Sequence, residues 1–167
     1  DLEGEDAIDK LPAQIKNNQR SVAETLVANM RKMIINERPN NPAYFDKISE
    51  LLNQLILDQK AEKISYKENM DRMIEKIKEV RGKIKTKYPT KINTSGKQAL
   101  YDNLNQDEDT ALKVHDAVVT YAKHGWRNND VPAKMKQVRK AVKNAIPDKD
   151  DETLSEIMSI IIAHKEY

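Results

Sequence analysis

Cysteine is absent from the chain, which excludes disulfides, thiolate metal sites and cysteine nucleophiles together and fits a reducing, cytoplasmic setting. Glycine is scarce, at 4 of 167 residues, and the strand-forming residues do not alternate, so a sheet has no pattern to build on. Long apolar runs are missing as well. The longest near the end, Ile160 to Ala163, is far too short to span a bilayer, so no membrane association is expected. The three histidines, His115, His124 and His164, contain no H-x-x-x-H pair, and a zinc site would have to be built from remote parts of the chain. No leader pattern follows Asp1, and the chain reads as a segment of a longer protein.

What is present points to helix. Hydrophobic residues make up 38% and charged residues 34%, enough for one real core under a strongly charged surface. The net charge of +2 is small, yet the charge is segregated. Residues 1–9 hold five acids and no base, whereas Arg72, Lys76, Lys78, Arg81, Lys83, Lys85, Lys87, Lys91 and Lys97 stand against Glu75 and Glu79 in 72–100. A second basic stretch covers 134–143 and an acidic one 148–156. Segregation of this kind suits a polyanion-binding surface, although a solvated helix face produces it too.

Periodicity predicts an irregular all-α bundle of about seven or eight helices. Ser21-Val-Ala-Glu24 reads as a capping box opening a helix to Asn36. Pro39 and Pro42 then stop one helix and start the next, whose stripe is Phe45, Ile48, Leu51, Leu52, Leu55 and Ile56. From Tyr66 the seam Met70, Met73, Ile77, Val80 and Ile84 asks for a partner, and the two helices are expected to pack as a hairpin. Thr94 or Ser95, the acidic turn Asp107-Glu-Asp109, Asp130, and Asp150 or Asp151 open the later helices, with Gly125 as a C-cap. Residues 1–20 form a loosely held lead-in, and 21–167 one helical domain.

The search for catalytic chemistry is negative. Ser95-Gly96-Lys97 resembles the end of a phosphate-binding loop, but Lys91 stands where its first glycine belongs and Gln98 where its Ser or Thr belongs. Asp107-Glu-Asp-Thr110 looks like a helicase acidic box without the preceding apolar strand, and a helix start explains it better. No cofactor or metal is expected in this chain. Binding chemistry is easier to find. At about 100° per residue, Val131, Met135, Val138, Val142 and Ala145 share one arc of a helix over 131–145. Lys136, Arg139, Lys140 and Lys143 share the adjoining arc with no acid among them, a ridge able to meet successive phosphates. Lys83, Lys85, Lys87 and Lys91 are candidates to extend it. Trp126 and Arg127, in a turn between Gly125 and two asparagines, are residue types enriched at binding hot spots. Trp126, Tyr44 and Tyr101 are each open to two readings, core aromatic or docking residue.

Four blocks resemble the C-terminal region of the restriction and motor subunit (HsdR) of type I restriction-modification enzymes, in particular the IC family. Asn41-Pro-Ala-Tyr-Phe-Asp-Lys-Ile-Ser-Glu-Leu-Leu52 is similar to its Asn-Pro-Ala-Tyr-Tyr helix opening. Lys91-Ile-Asn-Thr-Ser-Gly-Lys-Gln-Ala-Leu-Tyr-Asp-Asn-Leu104 is similar to its Ile-Asn-Thr-x-x-x-x-Ala-Leu-Tyr-Asp-Asn-Leu block. His124-Gly-Trp-Arg-Asn128 resembles Asp-Gly-Trp-Arg-Gly-Asn, with His for Asp and Asn for the second glycine, and the tail Lys165-Glu-Tyr167 resembles the closing Asn-Gln-x-Glu-Tyr, which makes Tyr167 the expected natural end. The blocks come in the family's order and the resemblance runs from Ser21 to Tyr167.

That resemblance implies a parent enzyme whose nuclease and two RecA-like motor domains, with their ATP and magnesium, lie outside this chain. It also implies partners: the methyltransferase subunits HsdM and HsdS, the rest of the HsdR subunit, and double-stranded DNA bound without sequence preference. The competing expectation is a helical protein–protein adaptor that never touches DNA.

Overall fold

Side chains able to accept a hydrogen bond stand at most helix starts in the computed structural model, which describes residues 18–82 and 88–167. The helices are α1 (Gln19–Glu37), α2 (Pro42–Lys60), α3 (Tyr66–Val80), α4 (Ser95–Asn103), α5 (Glu108–Tyr121), α6 (Pro132–Ala145) and α7 (Asp151–Ala163), with a 3-10 turn at Arg38–Asn40. The fold is all-α, as its periodicity requires, with no strand among the described residues. No helix among them is long and apolar enough to cross a membrane.

Ser65, Thr94, Asp107 and Asp150 each accept a backbone N–H from the first turn of α3, α4, α5 and α7, relieving donors that a helix leaves free at its start. The backbone N–H of Thr110 and then its hydroxyl hold Asp107 below the usual carboxylate range, so the cap stays ionised. Three expected boundaries move. Ser21 lies inside α1, where its N–H donates to Asn18 Oδ1 at 3.2 Å and Glu24 pairs with Arg20 at 3.0 Å, so Asn18 takes the role expected of the Ser21 box. Helix α5 ends at Tyr121, and Gly125 stands in the turn beyond with φ +71°, a conformation that a side chain would strain. Helix α6 starts with Val131 as an N-cap that makes no side-chain bond, and with Pro132 in its first turn, rather than with Asp130 as the cap.

The contacts within the stretch expected to be one domain separate into two compact units. In the first, described over 18–37 and 45–82, α3 packs closely along α1, whereas its seam predicts a hairpin with α2. Its buried residues include Leu26, Met30, Leu52, Leu55, Met73 and Ile77. Ile84, the last position of the predicted seam, and residues 1–17 of the predicted lead-in lie outside the described residues.

The second unit joins residues 38–44 to 88–167. Helix α5 packs against α4 and α6, and α7 against α4, α6 and the 3-10 turn. Leu100, Val114, Val118, Val138, Val142, Ile157 and Ile161 close a dry core between them. Each such side chain contributes about 1.5–3 kcal/mol by leaving water. A polar knot seats 38–44 on α4. Asn103 accepts the Ala43 N–H at 3.1 Å while its amide donates to Asn41 Oδ1 at 2.8 Å and to Ala99 O at 2.7 Å. Asn41 in turn donates to Asp102, which also accepts the Tyr88 hydroxyl at 2.6 Å. Asn103→Ala removes one partner from three bonds, and a loss of about 1–3 kcal/mol in chemical denaturation is expected.

Candidate nucleic-acid interface

Helix α6 divides along its length. Val138 and Val142 are fully buried and Met135 and Ala145 half-buried, which fixes the opposite side towards solvent. Val131, expected on the same apolar arc, is 40% exposed because the helix begins after it. Lys136, Arg139, Lys140 and Lys143 are all exposed on the solvent side. From Lys136 to Lys143 the helix rises ~10 Å, about three phosphate steps of a duplex at ~3.4 Å each. Lys136, Arg139 and Lys140 make no ion pair among the described residues, and Lys143 Nζ lies 3.8 Å from Asp151 Oδ1.

Lys91 does not join this row. It is exposed in the turn before α4, a helix that packs on α5 and α7 rather than along α6. Lys83, Lys85 and Lys87 lie outside the described residues.

The docking candidates all make contacts within the fold, and Trp126 alone among them is buried. Trp126 is 3% exposed, part of the core of the second unit, and its indole N–H donates to Tyr167 O at 2.9 Å. It is therefore an internal anchor and not an exposed one. Arg127 stacks on the Trp126 ring, 4.4 Å from its centre, and donates to the carbonyls of Ile162 at 2.9 Å, Ile161 at 3.2 Å and His164 at 2.8 Å. A cation there satisfies carbonyls that α7 leaves free at its negative end. Tyr101 is half-buried, edge-on to Tyr88 with ring centres 5.9 Å apart. Tyr44, also half-buried, begins α2, with its N–H donated to Asn41 Oδ1 at 3.3 Å.

Sequence reasoning missed the tail. Glu166 returns to the start of α4, where its carboxylate accepts the Thr94 hydroxyl at 2.6 Å, the Ser95 hydroxyl at 3.5 Å and the Gly96 N–H. A Cβ on Gly96 would lie 2.5 Å from Glu166 Oε2, so only glycine admits this approach. The segment that resembles a phosphate loop thus holds an anion after all, and the anion is the chain's own carboxylate. Tyr167 packs beside it, its hydroxyl 2.7 Å from His115 Nδ1. Burial, aided by the Glu166 charge, pushes the Tyr167 phenol well up, so it stays a neutral group. Among the described residues no cluster of His, Asp or Glu is arranged to hold a metal ion.

Protein-family models, curated proteins and solved structures were all compared with this chain, and none matches it.

Two outcomes follow from the contacts of the tail with Trp126 and His115. Trp126→Ala is expected to lower the unfolding free energy by about 3–5 kcal/mol; a variant as stable as the parent would return Trp126 to the role of an exposed anchor. His115 is pushed below the ordinary histidine value of 6.5, by burial first and by Lys97 second, against the opposing pull of Glu166 and Asp116. The folded state then binds a proton less readily than the unfolded one, so this contribution is complete above pH 6.5 and fades as pH falls below it. Thermal melts on either side of that value should show acid destabilisation that is smaller in His115→Gln.

Proposed function

We propose that this chain is the non-catalytic C-terminal helical domain of the restriction subunit of a type I restriction-modification enzyme. In this reading it helps to join that subunit to the HsdM and HsdS methyltransferase core and binds duplex DNA without sequence preference. DNA cleavage and ATP-driven translocation belong to other parts of the parent enzyme. The observation that carries the DNA reading is the exposed row of Lys136, Arg139 and Lys140, without an ion pair among the described residues, on an acid-free helix held in place by buried Val138 and Val142. A helix needing only solubility intersperses Glu among such cations. Cations presented in a row on a rigid element neutralise phosphates whatever the bases they belong to. The block resemblance supports the parent enzyme and its partners.

Lys136→Gln, Arg139→Gln and Lys140→Gln combined should weaken binding to duplexes of unrelated sequence alike. The slope of log K against log salt should flatten by up to ~2.7, at ~0.9 for each phosphate no longer neutralised. An unchanged slope in a normally folded variant would assign this face to solvent or to a protein partner, as in the adaptor reading.

A further inference from the structure

The four cations of the α6 ridge are alike in sequence but not in surroundings. Among the described residues Lys143, the last of them, is the one that pairs with an acid, Asp151 in the first turn of α7 at 3.8 Å. Two other acids of the α6–α7 corner are engaged elsewhere. Asp150 caps α7 through Thr153 at 2.8 Å, and Asp148 lies 3.8 Å from Lys149. The Lys143 and Asp151 side chains are 65% and 87% exposed, so their pairing is loose and open to exchange.

We propose that Asp151 is an intramolecular competitor for duplex phosphate, holding Lys143 back and confining the DNA contact to Lys136, Arg139 and Lys140. This rests on the duplex-binding reading of the ridge. Physically, a carboxylate beside the ammonium offers the same kind of ion pairing as a phosphate oxygen and also repels the approaching backbone. Binding through Lys143 must displace one anion to gain another, whereas the three unpaired cations exchange only diffuse counterions. Asp151 thereby sets the footprint of the ridge and limits its affinity for DNA of any sequence.

A charge-cycle experiment on the whole chain decides it, using a mixed-sequence duplex and salt titration. Asp151→Asn should bind about two- to fivefold more tightly at low salt and steepen the salt slope by ~0.9, one additional phosphate. Lys143→Gln should cost less than Lys140→Gln in the parent chain, and as much as Lys140→Gln in the Asp151→Asn background. Asp150 remains as the cap of α7, and circular dichroism verifies that each variant is folded.

An Asp151→Asn variant with unchanged affinity and slope overturns the proposal. So does a gain that persists in the Asp151→Asn, Lys143→Gln double variant, because the acid would then act through the general field and not through Lys143. Failure of the underlying DNA reading looks different: the Lys136, Arg139 and Lys140 triple variant would bind duplex as the parent does.

Discussion

Short helices expose many ends, and closing those ends is the constraint on which the second unit depends. Helices α4 to α7 run for only 9, 14, 14 and 13 residues. Each leaves free N–H groups at one end and free carbonyls at the other, and burying them unsatisfied would cancel the gain from the apolar core. The chain resolves this with charge as well as with local caps. Glu166 closes the positive start of α4 and Arg127 the negative end of α7, both in the sense that the helix dipole favours.

These closures are also where the four resembling blocks meet. Asn41 and Ala43 of the first bond Asp102 and Asn103 of the second. Thr94 and Gly96 of the second hold Glu166 of the tail, and Trp126 of the third donates to Tyr167. Specific residues in an otherwise plain helical chain thus have a structural reason to be there. Asn103 is bonded on both sides of its amide, and a side chain at Gly96 would displace the Glu166 carboxylate. A recognisable block marks a point of assembly within the unit, and its presence does not require a ligand.

The surface left over has a different character. Trp126 is committed to the core and Arg127 to the end of α7, while Lys136, Arg139 and Lys140 make no ion pair among the described residues. In the proposed reading, stability and binding fall to different residues. Changes on the ridge exposed to solvent should disturb the core little, since surface substitutions away from caps and packing are usually near neutral.

Local interactions were legible in the chain by itself. The helical class, the caps Thr94 and Asp150 as one of two neighbouring candidates each, the acidic start at Asp107, and the split of α6 into apolar and basic arcs all depend on neighbours within one or two turns, where spacing dictates geometry. Even there the reading failed where two local signals competed, as at Ser21 and Asp130, since several polar residues near a helix start can serve as its cap. Tertiary structure alone decided the rest. Thr94 and Glu166 are 72 residues apart, Trp126 and Tyr167 41, and Arg127 and Ile162 35. No periodicity links such positions. Whether Trp126 faces in or out, which helix α3 lies along, and which ridge lysine stands beside an acid depend on how separate helices pack, and packing is a property of the assembled core.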